Sequence, residues 1–278
     1  MSVITPSNVV NSSSSMGRAK SPRNAQDYKL PNVERVCLDD NWVLPKFDQT
    51  LRLEVAQLDD RDVILEFLLN EFGTQETLNR TLEISKSDLL DSIDQTLVSS
   101  IARGLTIIAV NNNRLCGVIA NNWSVVDRSH SQEIRIKKDY GNDLDQDNSY
   151  PSKVRYINVI LKQLESFSPN FLPTDCHQCF RIDLVSVRPK YAGCGIGKRL
   201  FLESFKLAER LGFQFCETVC TATASTKIAL SVGMKTAFVF PYSEYRSHGS
   251  AVFQKSMHDG CVGASLMIGD VNEVLQKL

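Results

Sequence analysis

The sequence predicts a mixed α/β domain, and three observations predict it. Short apolar runs alternate with segments whose apolar residues recur at helical spacing. A glycine-rich turn, Gly193-Cys194-Gly195-Ile196-Gly197, joins one such run to one such helix. The 278 residues are 42% hydrophobic and 23% charged, the composition of an ordinary globular domain with one good-sized core.

Residues 1–48 read as a disordered, Ser-rich tail: Asn11–Ser15 is NSSSS, and the basic Arg18, Lys20 and Arg23 precede the first acid, Asp27. Ser21-Pro22 in this tail is a candidate phosphorylation site that reads equally as loop. No apolar stretch stands behind the basic start, so no signal peptide is expected. The folded domain is expected over 49–278. LRLEVAQL from Leu51 alternates as a strand, with Leu51, Leu53 and Val55 on one face. DRDVILEFLLNEF follows as a helix capped by Asp59 or Asp60. After the polar GTQETLN, a second helix runs from about Ser87 to Arg103 on Leu89, Leu90, Ile93, Leu97 and Ile101. GLTIIAV and LCGVIANNW are two apolar runs joined at Asn111–Arg114, a hairpin pattern. Residues 124–150 are polar and mixed in charge, a long loop. Its one basic cluster, 135–138, is expected to be solvated.

From Pro151, helical spacing returns in Val154, Ile157, Leu161, Leu164 and Phe167. FRIDLVSV is a strand, the glycine turn follows, and a helix runs from about Ile196 to Leu211. FQFCETVCT is a strand, STKIALS a short helix ended by Gly233, and KTAFVFPYSEY and SAVFQKSM are read as the closing strands.

Several function classes are set aside by composition. A formal net charge of −1 gives no general attraction to nucleic acid or an anionic membrane. No apolar run reaches transmembrane length. Eight scattered cysteines in a chain too large to need disulfide staples fit a reducing, cytoplasmic setting. The Cys176-His177-Gln178-Cys179 cluster lacks a second ligand pair, so no metal is expected. The glycosylation-like triplets at Asn11, Asn79 and Asn122 are then chance matches.

The glycine turn is the chemical signal. Glycine permits positive φ and close approach of backbone to a ligand, and a helix start offers free N–H groups to a phosphate. A nucleotide P-loop fails twice: Ala192 stands at its first glycine and Arg199 at its Ser/Thr. A dinucleotide fingerprint fails at Lys198, where its third glycine belongs. The remaining match is the acyl-CoA motif V-x-P-x-[Y/F]-R-G-x-G-I-G/A, filled by Val187, Pro189, Tyr191, Gly193, Gly195, Ile196 and Gly197. CETVCT, STKIALS and Val232-Gly233-Met234 then supply the strand, short helix and "lGF" ending that go with it. On these two linked halves the chain resembles the GNAT superfamily of N-acetyltransferases over roughly residues 50–270. GTQETLNRTLEI, VCTATASTKIALSVGM and FPYSEYRSHGSAVF further resemble three segments of the insect-type arylalkylamine (dopamine) N-acetyltransferases, with Thr77 replacing a proline.

The resemblance implies the GNAT fold: a mixed, mostly antiparallel sheet with helices on both faces, and a splayed central strand pair, FRIDLVSV and FQFCETVCT. It implies acetyl-CoA as co-substrate and a small-molecule primary amine as acceptor, with direct transfer in a ternary complex and a monomeric enzyme. It puts Glu76 in the role of general base and aligns Thr221 and Ser225 with two catalytic serines, Thr221 adding a methyl. From the residues alone, Ser225 is equally a helix-start capping residue. Tyr245 is a substrate-pocket or acid candidate, or core packing. Cofactor contacts are expected from Leu184, Val185 and Val187 on the strand, and from Ala192, Gly193, Cys194, Gly195, Ile196, Gly197 and Lys198 around the turn. Ala192 departs from the motif's Arg or Gln and removes a charge-assisted contact to the pyrophosphate. A polyamine or protein-lysine acetyltransferase, or an acyl-CoA-binding module without turnover, stays open. Acidic walls would mark a polyamine or lysine site, and apolar walls an aromatic amine.

Overall fold

A computed structural model describes residues 27–129 and 133–277. The strands are β1 (Cys37–Leu44), β2 (Gln49–Val55), β3 (Thr106–Asn111), β4 (Arg114–Val125), β5 (Gln178–Val187), β6 (Phe215–Cys220), β7 (Lys235–Pro241), the short β8 (Arg246–Ser247) and β9 (Ser250–Ala251), and β10 (Gly263–Asp270). The helices are α1 (Arg61–Phe67), α2 (Thr77–Thr81), α3 (Lys86–Ala102), α4 (Gly141–Gln146), α5 (Ser152–Phe167), α6 (Ile196–Arg210), α7 (Thr223–Val232) and α8 (Val271–Leu275). Eight strands form one sheet in the order β1-β2-β3-β4-β5-β6-β10-β7, and β8 pairs with β9.

Every pairing in the large sheet is antiparallel except β5 with β6, which are parallel and joined only at Phe180↔Cys216 and Arg181↔Glu217. Beyond those two pairs the strands part, as expected for the splayed pair. β3 and β4 meet through Asn112 and Asn113, both at positive φ (48° and 58°), the geometry a two-residue hairpin turn demands.

Helices cover both faces. On one, Ile196, Leu200, Phe201 and Phe205 of α6, Ala229 and Val232 of α7 and Val271 and Val274 of α8 pack on Leu53, Ile107, Ile119, Phe180 and Met267. On the other, Ile64 and Phe67 of α1 and Leu89, Ile93, Leu97 and Ile101 of α3 cover Ile108, Val110 and Val118, while Ile160, Leu164 and Phe167 of α5 join Phe240 and Leu266.

Several expectations are corrected. The tail ends well before residue 48. Tyr28 and Leu30 are buried in the core, and β1 forms the sheet edge. Its CLDDNWVL reads as polar because an edge strand keeps much of its surface in water. Residues 1–26, with Ser21-Pro22 and Asn11, lie outside the described residues. The strand expected at SAVFQKSM is only the two-residue β9; the closing strand is β10, inserted between β6 and β7. Five of the first five residues of β10 are buried, so it lacks the alternation of a half-exposed strand. The expected first helix stops at Phe67 and gives way to a wider π turn over Leu68–Phe72. Asp60 makes no side-chain cap to α1; its carboxylate accepts from Gln57 N–H (2.8 Å) and from Arg35 (2.6 Å). Within the expected 124–150 loop, α4 forms, and Lys137 of the basic cluster bonds Asp143 at 2.6 Å.

Candidate active site

The parting of β5 and β6 opens a cavity of about 930 Å³, within the size range of small-molecule and cofactor sites. At one end it is walled by β5 and the glycine turn. Leu184, Val185, Val187, Ala192, Gly193, Gly195, Ile196, Gly197 and Lys198 all line it. Gly193 (φ 74°) and Gly195 (φ 84°) are left-handed, and a Cβ on either would meet nothing within 4 Å. The turn is therefore glycine-rich for conformation, and it leaves open space above the backbone. Gly195 caps α6, so the N–H groups of Ile196, Gly197 and Lys198 lie in the first turn, where no helical carbonyl reaches them. The helix dipole adds positive potential at the same spot. The β6-facing edge of β5 has no ladder partner after Arg181. A phosphate-bearing, strand-like ligand fits this end: donors for the anion, and a free edge for an extended amide arm.

Two of the ten expected cofactor contacts need comment. Cys194 does not line the cavity; its N–H donates to Tyr191 O (3.1 Å) and its side chain packs on the core. Ala192 does line it, exposed, with no charge to offer. Arg199 is committed elsewhere, to Asp39 (2.7 Å) and Glu203 (3.1 Å), and ties α6 to the edge strand β1.

The other end is built from side chains. Glu76 is the N-cap of α2: its Oε2 accepts from Asn79 N–H at 2.7 Å. The Thr221 hydroxyl donates to Glu76 Oε1 at 2.7 Å. Glu76 N–H reaches back to Phe72 O (2.8 Å), so the π turn fixes where the loop leaves the wall. Burial raises the proton affinity of Glu76 above the ordinary glutamate value, against the opposing pull of the Asn79 N–H and Thr221 hydroxyl. A carboxyl group whose proton affinity is raised in this way is a stronger base than an exposed glutamate, which suits it to accept a proton.

Ser225 lines the same wall, but its hydroxyl donates to Ala222 O at 3.0 Å and makes no bond to Glu76 or Thr221. Tyr245 is not in the cavity. It is fully buried among Tyr140, Phe240 and Phe253, with its hydroxyl donating to Tyr156 O (3.1 Å). The pocket and acid expectation is therefore corrected to packing: the ring fills the core under α5, and a polar atom buried there needs a partner. The neighbouring Tyr242 is nearer the chemistry, donating to Thr221 O at 2.7 Å. Cys220 is buried and its thiol is pushed up to about 12 by burial, which removes it as a thiolate nucleophile.

The cavity also contains groups that sequence reasoning missed. Glu71, Glu165, Arg181 and Asp183 line it together with Phe72, Leu89, Ile93, Ile157 and Leu161. Asp183 accepts from Arg181 Nε at 2.6 Å and from Asn122 at 3.2 Å, while Glu165 stands 3.4 Å from the same guanidinium. Two carboxylates share one cation, and burial pushes the Glu165 carboxyl up to about 7. Ile157 and Leu161 belong to the apolar stripe of α5; both line the cavity, and Ile157 also packs against the core beneath α5. Single charged residues in separate apolar segments carry no motif, so only the fold could bring these together.

No protein-family model matches the chain, and no curated protein is significantly similar to it. Solved structures are similar. Arylalkylamine N-acetyltransferase 2 from Aedes aegypti superposes with a TM-score of 0.65 at 22% identity, covering 80% of this chain and 99% of its own. The chain has the GNAT acetyltransferase fold. A mosquito arylalkylamine N-acetyltransferase like 5b matches at 0.62 and 18% identity (80% and 100% covered), and a Drosophila melanogaster polyamine N-acetyltransferase at 0.56 and 13% (79% and 99%). In this GNAT fold the cavity coincides with the strand splay, and both candidate ends open into it. No helix among the described residues is long and apolar enough to cross a membrane.

Proposed function

We propose that this chain is an acetyl-CoA-dependent N-acetyltransferase that acts on a primary amine of the arylalkylamine class, by direct transfer in a ternary complex. One observation carries the reading: the glycine turn and the Glu76–Thr221 pair, far apart in sequence, open into a single cavity. Acetyl-CoA would supply an activated acyl carbon with a thiolate leaving group. The first-turn N–H groups Ile196–Lys198 and the flanking glycines would hold its pyrophosphate, and the free edge of β5 would pair with its pantetheine arm.

The work of the protein's own groups then follows. An ammonium cannot attack, so Glu76 takes its proton, directly or through one water. Thr221 holds Glu76 Oε1 in place and leaves the carboxylate's other lone pairs for the substrate. Phe72, Leu89, Ile93, Ile157 and Leu161 exclude water and accept an aromatic ring. The resemblances to arylalkylamine acetyltransferases support this choice of acceptor.

A second acceptor class has its own observation. Glu71, Glu165 and Asp183 line the same cavity, and a polyamine has further cations to meet them. A third reading, an acyl-CoA-binding module without turnover, has Ala192 on its side and the Glu76–Thr221 bond against it.

Mass-spectrometric detection of N-acetyl product from acetyl-CoA and a panel of arylalkylamines, polyamines and lysine peptides separates them. Product from tryptamine- or dopamine-type amines is the expected result. Product from polyamines alone moves the assignment to the second class. No product, with acetyl-CoA still raising the melting temperature, leaves the binding module.

A further inference from the structure

Glu76 and Thr221 are 145 residues apart, on two loops that share no strand. Their 2.7 Å bond holds only while the two loops stay in register. One side chain belonging to neither loop touches both. Asp259 sits in the turn before β10; its Oδ2 accepts from Thr77 Oγ1 at 3.0 Å and from Thr223 N–H at 2.8 Å. Thr77 directly follows Glu76, and Thr223 lies two residues after Thr221. The backbone carbonyl of Asp259 also accepts from Thr223 Oγ1 at 3.0 Å. Its Oδ1 accepts from Cys261 N–H at 3.0 Å, and Met257 N–H closes the turn on Cys261 O at 2.8 Å. A residue needed only to form that turn would use Oδ1 alone. Here the second oxygen is spent entirely on the two loops that carry the reactive pair.

We infer that Asp259 is a positioning residue that clamps the Glu76 loop to the β6–α7 loop through Thr77 and Thr223. It does not touch the cavity itself. Its charge has a second effect, since a carboxylate beside Glu76 opposes ionisation of Glu76. The other titratable groups near the pair are Tyr242 and Cys261, both kept neutral by burial, and, along the cavity wall, Glu71 from the π turn, Lys162 and Glu165 from α5, Arg181 and Asp183 from β5, Lys198 from α6 and Lys227 from α7.

The kinetic arms of the test rest on the acetyltransferase reading; one further arm does not. Thr77→Val removes the hydroxyl clamp and leaves Asp259 and its turn intact. It is expected to lower kcat about tenfold or more, as loss of catalytic alignment does, with the acetyl-CoA dissociation constant unchanged. Thr77→Ser keeps the hydroxyl and is expected to restore kcat. Asp259→Asn removes the charge, so Glu76 ionises more easily and the acid limb of the kcat/KM profile moves to lower pH. A wild-type kcat in Thr77→Val overturns the clamp, and an unmoved acid limb in Asp259→Asn overturns the charge effect. The independent arm is a ¹³C NMR titration of the Glu76 carboxyl, assigned with Glu76→Gln and recorded without substrate. If the wild-type chain acetylates no amine, the acetyltransferase reading falls. The same spectra still decide both effects: a Glu76 resonance that titrates at lower pH in Asp259→Asn supports the charge effect, a displaced Glu76 resonance in Thr77→Val supports the clamp, and curves superimposable on the wild type overturn the one concerned.

Discussion

The two ends of the cavity are built by different means. The glycine-turn end comes from one continuous stretch, residues 184–198, and offers mainly backbone: N–H groups, a strand edge, open space over two left-handed glycines. The opposite end is assembled from side chains on the π turn, the start of α2, α3, α5, β5 and the end of β6. On the proposed reading, recognition by backbone would tolerate a change such as Ala192, because side chains are not its main donors. Side-chain recognition has no such margin: the reactive carboxylate of Glu76 is set by the Thr221 hydroxyl and the N–H groups at the start of α2. Mutations should therefore separate the ends cleanly, one affecting cofactor affinity and the other turnover.

The largest effect belongs to Glu76. Glu76→Ala is expected to lower kcat by about 10²–10⁴-fold, the range for loss of a general base, with acetyl-CoA affinity unchanged by calorimetry. Because Glu76 also caps α2, the alanine costs about 1 kcal/mol of cap as well. Glu76→Gln, which keeps an acceptor, should lose turnover with less of that penalty. Full turnover in both variants would remove the base assignment and erase the contrast between the two ends.

The mirror experiment is Gly195→Val. A β-branched residue at φ 84° is strained by about 1–2 kcal/mol, and its side chain enters the space over the turn. Acetyl-CoA affinity should fall by about tenfold or more, and kcat at saturating acetyl-CoA should change little. A variant that binds normally would mean that the anion is held elsewhere than at this turn.

The same contrast explains what could be read from the sequence. The glycine turn, β5, α6, β6 and α7 follow one another in the chain, so local periodicity and spacing expose them together. Glu76 and Thr221 were assigned only through resemblance, because nothing local marks a lone glutamate in GTQETLN as facing a threonine 145 residues away. The sequence leaves Tyr245 open between pocket, acid and packing; its hydroxyl is consumed by Tyr156 O, and segment likeness locates a residue in the chain but not the direction of its side chain. β10 escaped because a strand buried between β6 and β7 shows no alternation, and β1 because an edge strand looks like a polar tail. Asp259-Gly260 reads as a turn in any sequence; its hold on Thr77 and Thr223 exists only in three dimensions.

A smaller effect tests how complete the backbone cradle is. Ala192→Arg puts back the cation that the motif normally carries, at an exposed position on the cavity rim. Exposed ion pairs contribute at most about 1 kcal/mol, so acetyl-CoA should bind up to about fivefold tighter, and less so in high salt. A gain beyond about a hundredfold would show that the N–H groups alone hold the anion poorly and that the backbone end is less self-sufficient than its geometry implies.

The smallest effect concerns the cost of the side-chain end. Burial holds the Glu165 carboxyl at about 7, above the usual glutamate range, with Arg181 shared between it and Asp183. The folded state thus favours the protonated form more than the unfolded state does. Its stabilising effect is fully present below the unfolded glutamate value and is lost as pH rises through about 7. Glu165→Gln removes that dependence while Arg181 keeps its 2.6 Å partner Asp183. Melting temperatures of the two proteins should agree near pH 4, below the unfolded glutamate value, and diverge by a few degrees near pH 8, the variant being the more stable. A polyamine bound in the cavity would reverse the sign for the wild-type chain, because a cation beside Glu165 favours its ionised form. If wild type and variant instead melt in parallel across that range, the Glu165 carboxyl is solvated and titrates normally. The acidic wall then loses its claim on a second cation, and the apolar side chains around it are left to choose the amine.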